Sequence, residues 1–138
     1  MDAIIKESRE SSKGKRTQLK SFIEFRKKLE KKHKNVIVIV NNPCLEIWFL
    51  LHLEKIFKSV TCTKVETELK KHIKDYEKSQ KYFTKQDNDI YLKLRPFLTT
   101  AITHSENLGR FDENEPTKVV CEMCLLFQTE EIKEYFGK

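Results

Sequence analysis

Glu46 is the residue of this chain best placed by type and setting to do chemistry. It follows Asn41 and Asn42 closely and sits in a stretch that is otherwise strongly apolar. A carboxylate in such surroundings must be paired, protonated or bound to metal. One reading makes Glu46 a ligand of a metal site or a carboxylate that supports one. The other makes it a local cap or ion-pair partner. Asn41 could hydrogen-bond a phosphate or orient Glu46. Asn42 is a candidate turn or substrate residue, although its ordinary role before a helix is the N-cap. His52 is roughly 120° from Glu46 around an ideal helix, so the two do not share a face. A single histidine on an apolar helix is more often a hydrogen-bonded core residue than a substrate contact.

The second chemical feature is charge. The chain carries a formal net charge of +6, from 27 Lys and Arg against 21 Asp and Glu. All of the excess lies in the first 35 residues, where Lys15, Arg16, Lys20, Lys27, Lys28 and Lys31 are the candidate nucleic-acid contacts. Such a face attracts phosphate backbones without reading sequence, and the plainer alternative is a solvated lysine-rich helix. Cys121 and Cys124 have zinc-like spacing, but they lie in the apolar run 119–127 and no second close pair accompanies them. Core packing is the expected role for both. A glycine-rich phosphate loop is missing, which excludes a P-loop NTPase.

These groups need elements to hold them. Residues 36–40 are Val-Ile-Val-Ile-Val, the pattern of a strand buried on both faces. Pro43 then suits the first position of a helix running from 44 to about 57. Before the strand, Leu19, Phe22, Ile23 and Leu29 fall at helical spacing over residues 15–33, giving an amphipathic helix with a basic outer face. After it the chain reads as helices at 64–76, from 87 past an interruption near Pro96, at 117–127 and at 130–135, with a polar, mobile loop at 107–115. Residues 3–5 could end a strand or start a helix. The longest apolar run, 47–51, is far short of the roughly 20 residues that span a bilayer. No secretory leader is visible, so no membrane association is expected and the cytoplasm is the default location.

The run Asn42-Pro43-Cys44-Leu45-Glu46-Ile47-Trp48-Phe49-Leu50-Leu51-His52 directly after a strand resembles the RloB-like (AbiLii-like) proteins of bacterial defence loci. Tyr91, Leu92, Leu94, Ala101 and Ile102, and then Asn114-Glu115-Pro116-Thr117, are similar to that family's C-terminal half. The resemblance implies a Toprim-fold, metal-dependent nuclease of phage defence, with Mg²⁺ as cofactor, nucleic acid as substrate and an ATPase as a partner protein. In the family's pattern the metal acids are a Glu after an early strand and an Asp-x-Asp after a later one. Asp2 matches the second of those Asp residues, and Glu46 would join it at the metal. The other acids have no counterpart.

The expected fold is therefore α/β and helix-rich. It has a reduced parallel sheet resembling the C-terminal part of a Toprim domain, in residues 1–60, packed with a helical extension in residues 61–138. A lone strand at 36–40 needs backbone partners. Residues 1–5, residues beyond this sequence or a second copy in a homodimer could supply them. The alternative function is a catalytically inert module that binds nucleic acid or a partner protein.

Overall fold

The computed structural model describes residues 18–56 and 59–136. Asp2, Lys15, Arg16 and the possible strand at 3–5 lie outside the described residues. Helix α1 is Gln18–Lys32, β1 is Asn41–Asn42 and α2 is Glu46–Leu51. Helices α3 (Cys62–His72), α4 (Gln80–Thr84) and α5 (Ile90–Leu94) follow, and a 3₁₀ turn over Arg95–Phe97 leads into α6 (Leu98–Leu108). Strand β2 (Val120–Cys121), a 3₁₀ segment (Glu122–Gln128) and α7 (Glu130–Phe136) complete the chain.

The architecture is helix-rich α/β, as expected, but the sheet direction is not. β1 and β2 pair antiparallel, Asn41 opposite Cys121 and Asn42 opposite Val120. The cause is the return path. Gly109, at φ 76°, ends α6 in the left-handed region that favours glycine, and the loop behind it brings the chain back against β1. Residues 36–40 form no strand, and among the described residues no strand pairs with them. Side chains take two of their amides, Val38 N–H donating to Glu30 Oε1 at 3.0 Å and Val40 N–H to Glu122 Oε1 at 3.0 Å, while Val36 N–H donates to the His33 carbonyl at 3.1 Å.

Two further expectations need correction. The helix expected over 44–57 stops at Leu51. His52 Nδ1 takes the Trp48 carbonyl at 2.8 Å, and the His52 amide turns to the Phe49 carbonyl at 3.2 Å. The helix expected over 117–127 is a strand followed by 3₁₀ turns. The Glu122 amide bonds the Val40 carbonyl at 2.9 Å, which draws this segment onto residue 40 rather than into an α-helical ladder.

Side-chain caps start the other helices: Thr61 accepts from Lys64 N–H, Ser79 from Tyr82 N–H and Asp89 from Leu92 N–H, each at 3.2 Å. α2 lies at the centre of the core. Ile47, Leu50 and Leu51 are almost fully enclosed and pack with Val65 and Leu69 of α3 and Ala101 of α6. Trp48 stacks on Phe127 at 5.8 Å between ring centres. This hydrophobic burial, at about 1.5–3 kcal/mol for each large side chain, anchors the helix that presents Glu46.

Candidate functional site

Glu46 opens α2 and is buried. Its Oε1 accepts from the Tyr76 hydroxyl at 3.1 Å and lies 3.1 Å from Lys78 Nζ, while its Oε2 accepts from Lys78 at 3.3 Å. Burial alone would raise its pKa. That effect is outweighed by its own backbone amide, by Lys78, by the Cys44 thiol and by Tyr76, so the carboxyl is held below its ordinary value. The Lys78 ammonium is raised in turn, chiefly by its hydrogen bond to Glu46. Tyr76 and Cys44 are pushed up, first by burial, so both remain protonated donors. Cys62, at the start of α3, closes the site: the Cys44, Glu46 and Cys62 ligand atoms lie within 4.8 Å of one another. Tyr76, Lys78, Cys44 and Cys62 carry no signal as a group in the sequence, because their spacing follows no ligand motif.

These residues do not fit Mg²⁺. That ion takes hard oxygen ligands in a near-octahedral shell, whereas this cluster offers a single carboxylate beside two thiols. Among the described residues no other group of three or more His, Cys, Asp and Glu side chains is close enough to hold an ion.

The neighbouring polar residues are built into the fold. Asn42 does not cap α2. Its Nδ2 donates to the Lys118 carbonyl at 2.9 Å and the Pro116 carbonyl at 3.3 Å, tying the 109–119 loop to β1. The Asn42–Pro43 peptide is cis and Pro43 precedes the helix by three residues, so it is not a first-turn proline. Asn41 pairs through its backbone in β1. The Oδ1 atoms of Asn41 and Asn42 are buried and have no hydrogen-bond partner among the described residues. His52 is buried, bonded to its own helix and packed edge-on against Trp48 at 4.7 Å. Burial lowers its pKa. Cys121 is enclosed in the core, and burial pushes its thiol up to about 11.

A second buried acid, Glu122, is fully enclosed. Arg26 of α1 reaches its Oε1 at 2.9 Å, and Arg110 Nε reaches Oε2 at 2.7 Å. The Val40 and Phe111 amides donate to the same carboxylate, at 3.0 Å and 3.4 Å. Two cations and two amides leave this acid no free lone pair for a ligand, so its role is to clamp α1, β1 and the 109–119 loop together. The sequence signal for it was an acid inside the apolar run 119–127.

α1 divides its charges accordingly. Arg26 and Glu30 turn inward, while Lys20, Lys27, Lys28 and Lys31 are exposed. Lys27 pairs with Glu113 at 2.9 Å. Among the described residues no acid pairs with Lys28, Lys31 or Lys32, which fall on one helical face at i, i+3 and i+4. A cleft of about 560 Å³ beside α1 is lined by Arg26, Lys27 and Arg110 together with Glu113 and Glu122, so its cations are already neutralised.

No helix among the described residues is long and apolar enough to cross a membrane. No curated protein and no solved structure matches the chain. A family model described as "RloB-like protein" matches residues 9–129. The junction from Asn42 to His52, with its buried acid and apolar helix, lies within that match, and the chain belongs to the RloB-like protein family.

Proposed function

We propose that this chain is the nucleic-acid-holding part of an RloB-like, metal-dependent nuclease of phage defence, whose metal acids are not those of the described site. The observation that carries this reading is the exposed lysine face of α1, where Lys28, Lys31 and Lys32 stand unpaired by any described acid. Such a face binds polyanions by releasing their counterions. The ion pair of Glu46 with Lys78, and the thiols beside it, support a non-catalytic role for Glu46. The same features favour the second reading, an inert binding module, over a complete nuclease centre at this position.

The test is fluorescence anisotropy with labelled duplex DNA and single-stranded RNA. Charge reversal by Lys28→Glu, Lys31→Glu and Lys32→Glu is expected to weaken binding at least about tenfold. Unchanged affinity in the triple variant overturns the reading. Robust cleavage by the chain with Mg²⁺ or Mn²⁺ that disappears in Glu46→Gln would instead return Glu46 to a catalytic metal site.

A further inference from the structure

We propose that Cys44, Glu46 and Cys62 form a binding site for a thiophilic divalent cation, of which Zn²⁺ is the type, bridging the start of α2 to the start of α3. The inference is independent of the nucleic-acid reading. It rests on three side chains, Cys44 two residues before α2, Glu46 at its first residue and Cys62 at the first residue of α3, whose ligand atoms already lie within 4.8 Å of one another. Two donors on a tetrahedral zinc, with Zn–S near 2.3 Å, are about 3.8 Å apart, so closure asks for a shift of about an ångström at most. Two sulfurs and one oxygen are a soft donor set that selects zinc over magnesium.

The charges balance. On binding, the two thiols release their protons to solvent and become thiolates. With the Glu46 carboxylate they carry three negative charges against the two positive charges of the ion. Lys78, already on Glu46 at 3.1 Å, supplies the remaining positive charge. Tyr76, donating to Glu46 Oε1 at 3.1 Å, fixes the carboxylate's orientation, as outer partners of metal ligands commonly do. Both thiols are half-buried, so an ion can reach them from solvent. Water suits the fourth position, because Glu66, whose Oε1 accepts from the Cys62 thiol at 3.7 Å, would add a fourth negative charge. The other two cysteines, Cys121 and Cys124, are buried.

The experiment uses the reduced, metal-free full chain and Zn²⁺ as probe, in competition with a chromogenic chelator. One equivalent per chain is expected, lost in Cys44→Ser and in Cys62→Ser. Tyr76→Phe is expected to weaken binding about tenfold. Thiol alkylation read by mass spectrometry covers the case in which a serine variant fails to fold. In the unaltered chain, Zn²⁺ should slow modification of Cys44 and Cys62 at least about tenfold, while Mg²⁺ leaves it unchanged. Alkylation rates indifferent to Zn²⁺, equal protection by Mg²⁺, or zinc binding that survives in both serine variants would each overturn the proposal.

Discussion

Val40 and Glu122 are joined twice: the Val40 amide donates to Glu122 Oε1 at 3.0 Å, and the Glu122 amide donates to the Val40 carbonyl at 2.9 Å. A residue of the β-branched run is thus closed by a carboxylate and its own backbone rather than by a neighbouring strand of a parallel sheet. Because Arg26 and Arg110 grip the same carboxylate, one side chain fixes three separate segments.

Glu122→Ala should therefore be among the most damaging substitutions in the chain. It leaves two amides and two arginines without their shared partner, a cost of about 3–5 kcal/mol for a broken buried ion pair. Urea unfolding checks this. A variant within about 0.5 kcal/mol of the parent, the range of an ordinary surface change, would mean that the clamp contributes no stability.

Asn42→Ala removes both donors to the Pro116 and Lys118 carbonyls. A cost of about 1–3 kcal/mol is expected, together with faster amide exchange across the loop. Exchange across residues 109–119 that matches the parent would show that the ties of Arg110 and Phe111 to Glu122 and of Glu113 to Lys27 hold the loop without Asn42.

His52 gives a pH dependence of definite sign. Its folded-state pKa lies below the ordinary 6.5. The unfolded chain therefore binds the proton more readily, so the contribution is fully present above 6.5 and is lost as pH falls through the folded value. The urea midpoint should fall between about pH 7 and about pH 5, and His52→Gln should flatten this part of the profile. A midpoint that rises on acidification over that window would contradict the burial of a neutral imidazole.

Much of the helical framework was legible in the sequence, because α1, α3, α6 and α7 carry apolar periodicity or clear caps. The junction at residues 36–46 was legible as a change of character but not in its bonding. Strand propensity at 36–40 says nothing about whether a carboxylate 82 positions away will take the Val40 amide. Asn42 reads as a cap by type, yet its partners are loop carbonyls at residues 116 and 118, set by tertiary folding. α4 was not legible because it is only five residues long, with Ser79 as its single signal. Glu46 stands out as an anomaly of charge in apolar surroundings. Its partners Tyr76 and Lys78 lie 30 and 32 positions away, and only the packing of α2 against α3 brings that part of the chain close.

The salt dependence of nucleic-acid binding tests the central claim most directly. Measured between about 50 and about 200 mM salt, log affinity should fall linearly with log salt concentration. Replacing Lys28, Lys31 and Lys32 by alanine should reduce that slope by about one for each phosphate that these lysines neutralise. A chain whose binding ignores salt over this range, or whose slope is the same with and without these three lysines, would contradict the assignment of α1 as the surface that holds nucleic acid.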